Sequence, residues 1–187
     1  QRQMCIRGRI IKRHPEFCLD RRNLLHRIDY EKGTIELEGI EYPLLDTNFP
    51  TIDPKDPYTF TDQEADIMER LERAFTNCDK LQQHMKFLLA KGSLYKVYNN
   101  NLLYHGCVPL NEDGTFKEVE IYGKKYKGKA LYDILDNYVR KGFVAMDREE
   151  RERGRDLMWY IWLHENSPLF GKDKMATFER YFLTEKE

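Results

Sequence analysis

Between residues 62 and 90 the apolar positions Ile67, Met68, Leu71, Phe75, Cys78, Leu81, Met85 and Leu88 recur in steps of three and four. That spacing draws a single stripe along a helix. Thr61 and Glu64 precede it with the spacing of a capping box, in which hydroxyl and carboxylate satisfy each other's orphan backbone N–H groups. Acidic residues crowd the start (Asp62, Glu64, Asp66) and Lys86 and Lys91 stand near the end, as the helix dipole favours. Gly92 supplies a stop. The pattern predicts one unbroken helix over 62–90, roughly 40 Å long at 1.5 Å per residue.

Residues 1–60 read as a strand-and-loop subdomain. In "MCIRGRIIKR" Met4, Ile6 and Ile10 keep a loose period of two, which predicts a strand. In "GTIELEGIEYPLL" the alternation is cleaner: Ile35 and Leu37, a turn at Gly39, then Ile40, Tyr42 and Leu44, a hairpin. Pro50, Pro54 and Pro57 make the next stretch an irregular connection. Residues 61–187 form the second portion. "SLYKVYNNNLLYHG" predicts two short strands about an asparagine turn, since asparagine tolerates left-handed backbone. "FKEVEIYGKKYKG" predicts a more polar hairpin or loop. A helix is expected from Lys129 to about Lys141, with Ala130, Leu131, Ile134, Leu135 and Tyr138 inward and Gly142 closing it. Another opens at Asp147, with Glu150 completing a capping box and "LMWYIWL" as its apolar run. The fold class is α+β, long helices with short, mainly antiparallel strands.

Charge narrows the function. The 187 residues carry 31 Lys+Arg against 32 Asp+Glu, a net of −1, without the basic excess of a nucleic-acid or membrane surface. The mixed signs of "DREERERGRD" mark a solvated face. Twelve tyrosines, ten phenylalanines and two tryptophans argue for an ordered core. Cys5, Cys18, Cys78 and Cys107 form no C-x-x-C pair, so neither a zinc ribbon nor a redox motif is expected. No long apolar run occurs, and a reduced, cytoplasmic protein is the expectation. The first residue is Gln1 and the chain closes on "LTEKE", from which a segment of something longer is expected.

His105 is the ionisable residue that stands out. It follows the apolar run Leu102-Leu103-Tyr104 and precedes Gly106 and Pro109, placing it where a strand gives way to a loop. Such edges suit ligands, because the strand fixes the side chain while the loop leaves room. Spacing alone leaves two readings open. His105 is either a metal ligand or a core histidine bonded to a backbone carbonyl, and the second weighs more because one ligand does not make a site. In "NSPLFGKDKMATFERYF", Lys172, Lys174 and Arg180 lie with Ser167 and Thr177 about a turn at Gly171. Cations at a turn suit phosphate recognition and equally suit an ordinary surface loop. His14, His26, His84 and His164 have no ligand spacing to one another, and each is expected to be structural or exposed.

Taken together, "IIKRHPEF", "IDYEKGTI", "LLDTNFPTIDPKDPY", "NCDKLQQHMKFLLAKGSLYKVYNNNLLYHGCVPLNEDGTFKEV" and "NSPLFGKDKMATFERYF" resemble the class III fructose-1,6-bisphosphatases of bacteria, nearly end to end and in order. That family is similar to the calcineurin-like metallophosphoesterases. The resemblance implies removal of the 1-phosphate of fructose 1,6-bisphosphate, a gluconeogenic step. It also implies an αββα sandwich with two divalent metals on loops at strand ends, of which this chain would hold a part. The metals would activate a water for in-line attack on phosphorus. "LLYHG" matches the superfamily's histidine–glycine strand end, so the resemblance gives His105 a metal-ligand role.

The superfamily's G-D-x-H-G, G-D-x-x-D-R-G, G-N-H and G-H-x-H motifs do not occur here. The chain therefore resembles a middle-to-C-terminal segment, expected to be inactive alone and to hold no metal by itself. In the complete enzyme Mn²⁺ or Mg²⁺ is expected, since nitrogen and oxygen ligands suit these ions. Lys172, Lys174 and Arg180 are the candidate phosphate contacts. The alternative is a helical interaction or oligomerisation module without catalysis. A homo-oligomer fits either, because an apolar stripe on so long a helix needs a partner.

Overall fold

The computed structural model describes residues 4–171, 178 and 181–184, with the backbone course alone for 4–7. Its helices are α1 (Met4–Arg13), α2 (Asp62–Thr76), α3 (Asp79–Lys91), α4 (Gly128–Val144) and α5 (Arg148–Leu163). The strands are β1 (Ile28–Asp29), β2 (Thr34–Leu37), β3 (Ile40–Pro43), β4 (Tyr95–Tyr98), β5 (Asn101–Tyr104), β6 (Val119–Ile121) and β7 (Lys124–Tyr126). They form three separate antiparallel sheets, β1-β2-β3, β4-β5 and β6-β7. The fold is α+β, as the sequence pattern predicts. The chain divides into two units, Gln1–Thr76 with the C-terminal residues, and Asn77–Asp173.

In the first unit the strand expected over 4–10 is a helix, α1. Ile6 and Ile10 are four apart, a spacing that serves a helix as well as an alternating strand, and beyond Ile10 the alternation lapses into Ile11-Lys12-Arg13. Ile10 is fully buried while Arg9, Lys12 and Arg13 are exposed. The basic pair in the last turn meets the negative end of the helix dipole. The expected hairpin forms, with Leu37 opposite Ile40 and Thr34 opposite Pro43. Its two-residue loop, Glu38-Gly39, takes positive φ at both positions (53° and 79°), the twist that matches antiparallel strands. The core here gathers Leu24, Leu25, Ile28 and Ile35 with Phe178 and Leu183, under Phe49, Tyr58 and Phe182.

The capping box closes α2 as expected: Thr61 N–H donates to Glu64 Oε2 at 2.9 Å, and Glu64 N–H donates back to Thr61 Oγ1 at 3.3 Å. The single helix over 62–90 does not form. α2 ends at Thr76 and α3 begins at Asp79. Thr76, Asn77, Cys78 and Asp79 are all weak helix formers. Thr76 turns its hydroxyl back onto the Glu72 carbonyl at 2.8 Å, while Cys78 is extended and stands at the N-cap position of α3 without a side-chain cap bond.

The second unit is organised by α4 and α5. Leu131, Tyr132 and Leu135 of α4 and Leu157, Tyr160 and Ile161 of α5 are buried. Gly142 does not close α4, which runs two residues further to Val144; it is buried where α5 crosses. A Cβ on Gly154 would overlap Gly142 N and Tyr138 O and lie 2.6 Å from Gly142 Cα. Two glycines thus let these backbones approach closer than side chains permit. Asp147 caps α5 by accepting from Glu150 N–H at 2.8 Å. The carboxylate of Glu150, expected to reciprocate, reaches Lys141 Nζ at 2.6 Å instead. Arg140 closes α3 from a distance, donating to the Leu89 carbonyl and to the Gly92 carbonyl.

Gly154→Ala is expected to destabilise the chain by about 1–3 kcal/mol, the cost of overpacking a closed contact. Glu149→Ala, which removes only the exposed pair with Arg153, is expected to cost less than about 1 kcal/mol. Chemical denaturation of the two variants checks this; equal midpoints would show that the crossing tolerates a methyl group.

Candidate functional site

β4 and β5 pair as Tyr95–Tyr104, Lys96–Leu103, Val97–Leu102 and Tyr98–Asn101. Asn99 and Asn100 make the turn with φ of 47° and 58°, so the asparagine reversal occurs where the sequence places it. β5 ends at Tyr104 and His105 follows in a bend, at the expected junction of strand and loop. The imidazole is exposed. It does not close a core, and the buried-histidine reading is set aside for that reason.

The backbone just after His105 is held from two sides. Tyr132, buried on α4, donates its hydroxyl to the Cys107 carbonyl at 2.7 Å. Its ring packs edge-on against Tyr95 and Tyr104, with centroids 5.7 and 6.5 Å away. From the other side, Cys107 N–H donates to the Pro168 carbonyl at 3.0 Å. A Cβ on Gly106 would overlap that same carbonyl and sit 3.0 Å from the Leu169 carbonyl carbon. The glycine after His105 is therefore what lets the strand end lie against the 166–170 turn.

That turn is itself rigidly made. Ser167 is fully buried; its hydroxyl donates to the Ile161 carbonyl and accepts from Leu169 N–H at 3.1 Å. His164, buried and stacked on Tyr160 at 4.3 Å, accepts from Asn166 N–H on Nδ1 at 3.0 Å. His164 is thus structural, as expected, and His84 is exposed on α3. His14 stacks on Phe17 and meets Glu16, and His26 meets the Tyr58 hydroxyl at 2.7 Å.

Burial shapes the chemistry of the holding residues. It pushes the Tyr132 hydroxyl up to about 12, with Cys107 and Tyr104 adding to the effect, and so keeps it a donor. Burial also raises the Cys107 thiol, which leans on the Ser167 carbonyl. The site thus has one exposed imidazole on a backbone fixed by neutral groups. Lys172, Lys174 and Arg180 lie outside the described residues.

Two divalent metals need several converging His or carboxylate donors. Among the described residues no group of three His, Cys, Asp or Glu side chains could hold a metal ion. Cys107, two residues from His105, is turned onto the Ser167 carbonyl. The described residues do not by themselves fit a metal centre. The sequence places His105 at a strand end, where it lies, and names Ser167 only as part of a polar turn; the contacts of Tyr132, Ser167 and Pro168 with this segment carry no local signal. Gly106 and the Ser-Pro pair signal tight backbone, yet nothing local says that they meet.

Comparison with known proteins assigns the chain to a family by its sequence. The model of the Firmicute fructose-1,6-bisphosphatase family matches residues 2–187, and the chain belongs to that family. The class 3 fructose-1,6-bisphosphatase of Clostridium novyi is 54% identical over 185 residues, which cover 98% of this chain and 28% of that protein. Those of Clostridium acetobutylicum and Clostridium tetani are 52% and 50% identical over 186 residues, again 99% of this chain and 28% of theirs. The chain thus spans 28% of the length of these relatives. No solved structure matches it. No helix among the described residues is long and apolar enough to cross a membrane.

The burial of Cys107 has a direct readout. In a Cys5→Ser background at pH 8, the exposed Cys18 and Cys78 are expected to react with a disulfide reagent at least about tenfold faster than Cys107. A raised pKa lowers the thiolate fraction and burial limits access. Three equal rates would show that the 107–168 contact opens freely.

Proposed function

We propose that this chain is a segment of a metal-dependent phosphatase that removes the 1-phosphate of fructose 1,6-bisphosphate, and that it is inactive by itself. The observation that carries the reading is the family match over residues 2–187 combined with an exposed His105 at a strand end. His105 is proposed as one ligand of a divalent centre, Mn²⁺ or Mg²⁺, whose remaining ligands come from outside this chain. An exposed imidazole on a fixed backbone suits that role, because a ligand must hold its direction without the metal's help. The reading also assigns Lys172, Lys174 and Arg180 to the substrate phosphates. The setting is a soluble cytoplasmic enzyme of sugar-phosphate metabolism.

A specific observation favours a second role, that of an interaction module. Ile67, Leu71 and Phe75 on α2 and Phe87 and Leu88 on α3 are 46–64% exposed. Such faces ask for cover, and a homo-oligomer would supply it. A sizing measurement separates the cases, since a monomer at all concentrations leaves no such module.

The purified 187-residue chain is expected to release no phosphate from fructose 1,6-bisphosphate with or without Mn²⁺. In a full-length family member carrying this segment, His105→Ala is expected to lower kcat at least about 100-fold. Replacing Lys172 and Lys174 together by methionine is expected to raise KM. Metal-dependent turnover by the isolated chain would overturn the segment reading, and an unchanged KM would remove the two lysines from it.

A further inference from the structure

The β4–β5 hairpin is built of residues that belong inside a protein. β5 reads Asn-Leu-Leu-Tyr, and all four residues are exposed. Opposite strand positions share a face, so Tyr95, Val97, Leu102 and Tyr104 point to one side and Leu103 and Tyr98 to the other. Val97, Tyr98, Leu102 and Leu103 are 53–63% exposed, so among the described residues only the Tyr95–Tyr104 end, where Tyr132 packs, has any cover. A hairpin of two strands is marginal alone. The first side forms one wall of an almost wholly apolar groove of about 270 Å³, whose other wall is Phe116 and Tyr132. A sugar phosphate has no partner there: Lys129, which also lines the groove, is held by Asp133 at 2.5 Å.

The edges of the hairpin differ. In a two-residue hairpin the pair flanking the loop, here Tyr98 and Asn101, exchanges both backbone hydrogen bonds, and alternate pairs turn their N–H and C=O groups outward. Among the described residues, Leu102 and Tyr104 therefore present unpaired donors and acceptors along β5. β4 carries Lys96, a charge that discourages pairing, whereas β5 has no charge and no proline to protect it. The free edge runs straight into His105.

We propose that the outer edge of β5, with the aromatic groove beside it, seats an extended apolar strand from the part of the family polypeptide that this chain does not cover. The proposal rests on the reading of His105 as a ligand given above. Three observations choose this occupant over a second copy. The relatives are longer, since this chain spans 28% of their length. The described residues hold no ligand cluster, and the reading of His105 given above takes its companion donors from outside this chain. The edge that ends at His105 is the undefended one, and a strand paired along it delivers its own end beside the imidazole.

Hydrogen exchange tests this. The amides of Leu102 and Tyr104 are compared in the free 187-residue chain and in the Clostridium novyi relative whose matching segment has been replaced by this chain. Both amides are expected to exchange at least about 100-fold more slowly in the longer protein. Leu102→Asp is expected to abolish that protection, and Met146→Asp, at an exposed site elsewhere, to leave it intact. Equal rates in the two proteins overturn the proposal. So does protection in the free chain that rises with concentration alongside a dimer, which would make the occupant a second copy. Should the chimera not fold, the corresponding amides of the unaltered relative are read, and fast exchange there is equally fatal. His105→Ala separates this proposal from the one beneath it. Lost Mn²⁺ with intact amide protection supports both, whereas retained Mn²⁺ with intact protection removes the ligand role and keeps the strand seat.

Discussion

The crossing of α4 and α5 at Gly142 and Gly154 sets the distances on which the second unit depends. Ordinary helix pairs stand 8–10 Å apart because side chains space them. Here the backbone of one helix lies against the backbone of the other. Everything that holds the neighbourhood of His105 hangs from these two helices. α4 carries Tyr132, which fixes the Cys107 carbonyl and packs against both strands of the hairpin. α5 runs out through His164 into the Ser167–Pro168 turn, which fixes the Cys107 N–H. The same peptide segment is thus gripped at its oxygen from one helix and at its nitrogen from the end of the other.

Neutral groups make that grip. A charged partner beside the strand end would compete for an imidazole or for a cation near it, whereas a phenol and a thiol held protonated by burial leave the local field to whatever binds. Outside this held region, apolar positions abound on β4, β5, α2 and α3 and remain exposed. Locally each of these elements has a pattern suited to burial, and the described residues do not supply an opposing surface.

Much of the fold could be read from residue chemistry. Glu38-Gly39, Asn99-Asn100 and Tyr122-Gly123 each take left-handed backbone in a two-residue loop, and the first two were legible from glycine and asparagine. Thr61 with Glu64 and the cap at Asp147 were equally plain. The misreadings share a cause, which is that a spacing fits more than one structure. Ile6 and Ile10 fit both periods, so α1 looked like a strand. The stripe from Ile67 to Leu88 keeps phase across Thr76–Cys78, which hid the break between α2 and α3. Gly142 looked like a stop because the glycine opposite it lies on another helix. The place of His105 at a strand end was legible from Leu-Leu-Tyr-His-Gly, but Tyr132 and Ser167 act across long sequence separations, and periodicity carries no such information.

The 107–168 contact also bears on how this part of the chain acquires its shape. Hairpins closed by two residues and a helix pair joined by a short turn need little chain entropy. Joining Cys107 to Ser167 closes a loop of 60 residues, and such closures come late because their entropy must be spent before any contact returns it. The helices and hairpins can therefore assemble while the strand end is still loose. The direction in which His105 points therefore depends on a closure across 60 residues rather than on the chain next to it.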